Sequence, residues 1–184
     1  SGQDNPTINL SEMRGFFYFS SMNIVPLQKE QLSIVAELAY EIWPTAYKEI
    51  LSPEQLQYML AQFYSIEALE AQFQSGQHFL LLKDAERAVG FLSYELNCYN
   101  TQKLKIHKIY VLSSEQGKGL GKLFIDKAIE IAIAQNQKAV FLNVNKYNKA
   151  RFFYEKLGFT IVKDEVIEIG NGYVMDDYVM EVAV

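Results

Sequence analysis

Apolar side chains recur along this chain with two periods, and each change of period marks an element. Asn23–Gln28 is a short extended run closed by Pro26-Leu27. Leu32, Val35, Ala36, Leu38, Ala39 and Ile42 repeat at helical spacing, which predicts an amphipathic helix to Trp43, stopped by Pro44. Ser52-Pro53-Glu54-Gln55 is a helix start, with a capping hydroxyl, proline at the first position, and an acid and an amide in the first turn. A second helix is expected to Tyr64, and a third over Ile66–Gln74, ended at Gly76. His78–Lys83 and Ala88–Cys98 are apolar or alternating runs on either side of Asp84-Ala85-Glu86-Arg87, a β-hairpin pattern. Tyr99-Asn100-Thr101-Gln102 turns the chain into Leu104–Leu112, so three antiparallel strands follow one another. From Gly119 the period lengthens: Leu120, Leu123, Phe124, Ala128, Ile131 and Ala132 predict a helix to Gln135. Ala139–Val144 is a compact apolar strand reached through that helix, hence parallel to the strand before it in a right-handed crossover. Asn148–Leu157 is a short helix, capped by Asn148 and ended by Gly158. Phe159–Ile169 and Tyr173–Val182 form a last hairpin about Gly170-Asn171-Gly172.

The chemistry concentrates where the fourth strand meets the long helix. Residues 111 to 122 read Val-Leu-Ser-Ser-Glu-Gln-Gly-Lys-Gly-Leu-Gly-Lys. Peptide N–H groups at a helix start are unpaired and carry the positive end of its dipole, so this turn is built to hold an anion. Gly117, Gly119 and Gly121 have no Cβ to block close approach, and Lys118 and Lys122 add positive charge. A phosphate or pyrophosphate is the natural guest. A nucleotide P-loop would need Gly in place of Gln116 and Ser or Thr in place of Leu123; a dinucleotide fingerprint from Gly117 would need Gly or Ala in place of Lys122. Neither fits.

Composition narrows the classes. The 184 residues are most simply one core-bearing domain, 49% hydrophobic and 21% charged, as in soluble globular proteins. Ser1-Gly2 resembles a cloning remnant, residues 3–21 lack clear periodicity, and Met22 would serve as a natural start. Residues 1–21 are therefore set apart as an N-terminal extension, and 22–184 are expected to form the single domain. No apolar run reaches membrane-spanning length or makes a signal-peptide core, so the cytoplasm is the expected compartment. One cysteine and two histidines argue against a disulfide and a structural metal site.

A net charge of −5 argues against general nucleic-acid binding, but its distribution is uneven. Residues 103–163 carry 12 Lys/Arg against 4 Asp/Glu, whereas 1–102 carry 5 against 12 and 164–184 none against 6. The basic block coincides with the anion turn, which favours a polyphosphate ligand.

Gln116, Gly119 and Gly121, preceded by Ile109-Tyr110-Val111, form a Gln-x-x-Gly-x-Gly pattern. One strand–helix unit later comes Ala150-Arg151-Phe152-Phe153-Tyr154-Glu155-Lys156-Leu157-Gly158-Phe159. Both segments, in this order, resemble the signatures of the GNAT superfamily of acetyl-CoA-dependent N-acetyltransferases, over roughly residues 23–182. The resemblance implies an α/β (α+β) fold: a mixed, mostly antiparallel sheet of six to seven strands flanked by helices, splayed between the fourth and fifth strands. It implies acetyl-CoA as cofactor, its pantetheine arm paired with backbone of Ile109, Tyr110 and Val111. The pyrophosphate would lie in the cradle of Gln116, Gly117, Lys118, Gly119, Leu120, Gly121 and Lys122. Tyr154 matches the tyrosine that protonates the departing thiolate. A phenol of pKa near 10 can donate to a thiolate whose acid has a pKa of about 8–9.

Two positions depart from the family pattern. Its asparagine before the last helix falls on Tyr147, with Asn148 one later and still within reach of the cofactor. Its basic glutamate of the fourth strand falls on Lys105. His107, two residues on, and Glu95 of the neighbouring strand are the candidate bases. Cys98 lies near a turn without an evident basic partner, which argues against a ping-pong nucleophile. Acidic flanks around a basic strip suit a small cationic amine as acceptor. Ile42-Trp43-Pro44-Thr45-Ala46-Tyr47 and Asp176-Asp177-Tyr178-Val179-Met180 look like the spermine/spermidine acetyltransferase branch. The alternative is a catalytically silent acyl-CoA sensor on the same scaffold. No nucleic-acid or membrane partner is expected, and a homodimer stays open.

Overall fold

The computed structural model describes residues 22–184. The N-terminal extension expected over residues 1–21 lies outside the described residues. Seven strands form one sheet in the order β1-β2-β3-β4-β5-β7-β6. They are β1 Met22–Pro26, β2 His78–Asp84, β3 Arg87–Glu95, β4 Lys103–Val111, β5 Ala139–Asn145, β6 Thr160–Gly170 and β7 Tyr173–Ala183. β4 and β5 run parallel, joined through a helix, and every other neighbouring pair is antiparallel.

Among the described residues the helices are α1 Leu32–Ala46, α2 Pro53–Tyr64, α3 Ile66–Gln74, α4 Leu120–Ala134 and α5 Ala150–Lys156. α2 begins as its residues dictate: Ser52 accepts the Gln55 N–H and Pro53 stands first. α1 runs one turn further than Pro44 suggests, because a proline removes one N–H bond and the last turn continues from Trp43, whose carbonyl accepts the Tyr47 N–H. The third strand ends early, at Glu95; Asn97, Tyr99 and Asn100 turn the chain with positive φ, and Cys98 falls in a short 3-10 turn. Val35, Ala39 and Ile42 of α1, Leu81 and Leu82 of β2 and Phe124 of α4 are buried in the continuous core. None of the described helices is long and apolar enough to cross a membrane.

Candidate active site

β4 and β5 pair over four residues, from Lys103↔Ala139 to Ile106↔Leu142. Beyond Ile106 the two strands part, while the other edge of β4 stays paired with β3 as far as Gly90↔Val111. Among the described residues, the edge of Ile109, Tyr110 and Val111 that would face β5 is left without a partner strand. One cause lies in β4 itself. Ser93 pairs with Lys108 and Tyr94 with Ile106, so His107 is an extra residue, and such a bulge bends its strand and increases its twist. A cavity of about 1090 Å³ occupies the opening, with walls from α1, α2, β4, β5, α5 and β7.

The glycine turn forms part of this wall. Gly117 and Gly119 have φ of 77° and 79°, a left-handed conformation that glycine adopts without strain, and Gly119 leads directly into α4. Gly121 is small for a different reason: a Cβ there would sit 3.2 Å from the Phe153 ring of α5. Gln116, Gly117, Gly119, Leu120, Gly121 and Lys122 line the cavity. The positive charge expected of the two lysines is largely compensated within the turn. Lys118 Nζ lies 2.7 Å from Glu115, and Lys122 Nζ lies 2.7 Å from Asp126 one helical turn on. An anion here is therefore met chiefly by peptide N–H groups and the α4 dipole. Open space beside Gly117 and the unpaired edge of β4 fit the pyrophosphate and pantetheine of a coenzyme A. Asn148 lines the cavity; the N-cap of α5 is Lys149 rather than Asn148, which stands one residue earlier and accepts the Ala150 N–H on its Oδ1 at 2.9 Å.

Tyr154, on α5, packs its ring against Phe153 and Phe159 and lines the cavity. Its hydroxyl makes no hydrogen bond among the described residues. Burial pushes the phenol up, and Tyr47 adds to the shift. Tyr47 and Tyr110 share a hydrogen bond of 2.8 Å, and both rings pack against Trp43 at an interplanar angle of 43°. Burial raises both of these phenols too, so the three tyrosines are a protonated, weakly polar wall.

The two candidate bases turn out to be partners. His107 Nε2 lies 2.9 Å from Glu95 Oε2. Burial and then the charge of Lys105 hold the imidazole down to about 4, although Glu95 opposes the shift. The histidine is therefore neutral near pH 7. Cys98 has a basic neighbour after all, since its Sγ, a Glu95 oxygen and a His107 nitrogen lie within 4.8 Å of one another. Burial and Glu95 push the thiol up to about 11, and an imidazole held down to about 4 is too weak a base to take its proton, so the group is no activated nucleophile.

Three charged residues of the wall are given no chemical role by the sequence. Lys108 is 8% exposed, with its ammonium over the rings of Tyr64 and Phe79, and burial followed by Lys105 brings it down to about 7. Lys105 is buried too, its Nζ donating to Tyr99 Oη at 2.8 Å. Asp177 of β7 is 6% exposed and is pushed up to about 6 by burial, with Glu165 and Asp176 adding and Asn143 and Lys105 opposing. The sequence signals were faint. Lys108, directly after His107, breaks the strand's alternation, Lys105 sits at an ordinary polar position, and two adjacent acids interrupt an apolar strand at Asp176-Asp177.

Over residues 47–181 the chain matches the family model of an acetyltransferase (GNAT) domain. An uncharacterized N-acetyltransferase of Lactobacillus delbrueckii subsp. lactis is 23% identical over 83% of this chain and 92% of that protein. Another, from Archaeoglobus fulgidus, is 36% identical over 72 residues, and the chain spans about half, 49%, of its length. Among solved structures, the PaiA N-acetyltransferase of Thermoplasma acidophilum in complex with coenzyme A superposes with a TM-score of 0.74 at 26% identity, over 89% of this chain and 99% of that one. The spermidine/spermine N-acetyltransferase SpeG of Vibrio cholerae shares the fold, with a TM-score of 0.63 at 20% identity over 89% and 94% of the two chains.

Proposed function

Since this chain belongs to the GNAT family of acetyltransferases, with coenzyme A as its acyl carrier, we propose that it moves the acetyl group of acetyl-CoA onto a primary amine by direct attack in a ternary complex. The observation that carries the reading is the early end of β4–β5 pairing at Ile106↔Leu142, which opens the free edge of β4 onto a cavity walled by both the glycine turn and Tyr154. Bound acetyl-CoA supplies a thioester carbonyl, at which a C–N bond forms as the C–S bond breaks. Backbone N–H groups between Gln116 and Lys122 hold the pyrophosphate, and Ile109, Tyr110 and Val111 orient the pantetheine arm as an added strand. Asn148 fixes the start of α5 and with it the position of Tyr154.

Tyr154 Oη holds the proton that the leaving sulfur takes. Its raised pKa keeps it protonated across the working range, so it donates only as charge develops beside it. The amine nitrogen sheds one proton as it becomes an amide nitrogen, which balances the one delivered to sulfur. Between the two groups that can receive it, Asp177 at about 6 is the stronger base, and the His107–Glu95 pair, with its imidazole at about 4, is the weaker.

Thiol release from acetyl-CoA over a panel of amines tests the proposal, beside thermal shifts with acetyl-CoA and free CoA. Spermidine and spermine belong in the panel, both because small cationic amines are expected from the sequence and because SpeG, a neighbour in fold, acts on them. Turnover on an amine is the expected outcome. Cofactor binding with no turnover on any amine would instead favour an acyl-CoA sensor.

A further inference from the structure

Two lysines line the cavity without a carboxylate in ion-pair contact among the described residues, although the charges of Asp177 and Glu165 reach Lys105 from further off. Lys105 and Lys108 are 9% and 8% exposed, and among the described residues neither forms an ion pair. Lys105 has the Tyr99 hydroxyl, and Lys108 has only the ring faces of Tyr64 and Phe79. The bulge at His107 puts them together. Glu95 pairs with Lys105 and Ser93 with Lys108; Ser93 and Glu95 alternate onto one face of β3, so two lysines three residues apart share a face of β4. Two buried ammonium groups on one face repel each other and lose their hydration, an arrangement that is costly without an anion between them.

The cofactor's phosphates are not that anion. β4 runs from Lys103 towards the glycine turn, so both lysines lie upstream of the Ile109–Val111 edge, on the stretch the cofactor arm does not need. Asp177 lines the same cavity from β7. The acceptor region therefore offers one carboxylate that can meet an amine and two cations that can meet an acid.

We propose that the acceptor is an amine that also bears a carboxylate, with its nitrogen at Asp177 and its carboxylate received by Lys108 and Lys105. The inference rests on the acetyl-transfer reading above and narrows its acceptor. Two carboxylate oxygens match two ammonium groups within apolar walls. A polyamine would bring a second cation against the lysines, where like charges repel.

The test uses matched pairs that differ by one carboxylate: lysine against cadaverine, tyrosine against tyramine, histidine against histamine, with spermidine alongside. For at least one pair, kcat/KM should favour the carboxylate-bearing member by about 100-fold, since the site's buried charges go unmet by the other. Lys108→Met should shrink that ratio to below about tenfold, mainly through a higher KM for the amino acid. Calorimetry of the same pairs on the intact protein should show binding of the amino acid that the variant weakens. Equal or reversed preference in every pair, while transfer proceeds, would overturn the inference. So would a Lys108→Met variant that slows both members alike and leaves the ratio intact. Should that variant fail to fold, the wild-type ratios and Lys105→Met decide the matter. Absence of turnover on every amine would strike the acetyl-transfer reading instead; calorimetry then stands alone, and no carboxylate-dependent binding would sink the inference too.

Discussion

Tyr154 shows how much a single side chain is asked to do. Its phenol is the one group on α5 that lines the cavity with no hydrogen bond among the described residues, so its proton is uncommitted. Tyr154→Phe should lower kcat by about 10²–10⁴-fold, as for loss of a general acid, with acetyl-CoA affinity kept. Steady-state kinetics and a cofactor titration check both halves, and an unchanged kcat would remove Tyr154 from the mechanism. Asp177 makes a prediction about pH. A base must be deprotonated, so kcat/KM should fall as pH drops through about 6, and Asp177→Asn should lose that limb. Stability moves the other way. The folded pKa is raised from 3.8, so stability is lost as pH rises from there through about 6. Asp177→Asn should therefore melt higher than wild type above pH 6, with the gap closing below about pH 4. Lys108 mirrors it: its folded pKa of about 7 lies below the ordinary 10.5, so burial costs most below pH 7 and the cost fades towards 10.5. Lys108→Met should stabilise the fold by about 1–4 kcal/mol at pH 6–7, as replacement of buried charge by apolar volume often does, and by less as pH rises.

Two elements shape the cavity through their backbones. In the glycine turn, the left-handed Gly119 sits where β4 has ended and α4 begins, and a branched side chain there would be strained and would stand where the anion approaches. Gly119→Val should abolish acetyl-CoA binding in a calorimetric titration while the protein stays folded by circular dichroism. Normal affinity would count against the placement of the pyrophosphate. The β6–β7 hairpin closes the cavity from the other side. Tyr58 of α2 donates to the Ile169 carbonyl at 2.7 Å, and a Cβ on Gly170 would lie 2.5 Å from that hydroxyl. Ile167, Val174 and Met175 of the hairpin line the wall beneath it. Gly170→Ala should break this contact and raise the KM for the acceptor more than that for acetyl-CoA, measured by varying each in turn.

Over the molecule as a whole, one seven-stranded sheet holds every one of these parts, and a ligand that binds only the folded form must stabilise it. Saturating acetyl-CoA at about 100 times its Kd adds about 2.7 kcal/mol, which for a chain of this size raises Tm by about 5–10 °C. The electrostatic pattern is also a property of the assembly. Residues 103–163 are the basic block, yet Lys118, Lys122, Lys127 and Lys146 are matched by carboxylates of the turn, of α4 and of the β6–β7 hairpin. Regional charge counted along the chain therefore overstates what a cofactor meets. Of the basic residues of this block that form no ion pair among the described residues, Lys138, Lys149 and Lys156 are exposed, whereas Lys105 and Lys108 are buried in the cavity wall.

Local order was legible in the chain of letters. The elements, the parallel β4–β5 step and the glycine turn follow from period, capping residues and glycine placement, which act between residues near in sequence, whereas Tyr154 is singled out only by the resemblance of Ala150–Phe159 to a family signature. Lysines matched by acids three or four residues away were legible too, though charge counting hid them. The bulge at His107, the bond from His107 to Glu95, the burial of Lys108 and the approach of Asp177 from the last strand were not. Each depends on register between strands or on removal from water, and both are settled by how distant segments pack. Period and propensity thus fixed where the glycine turn lies, whereas packing decided which charges line the rest of the cavity.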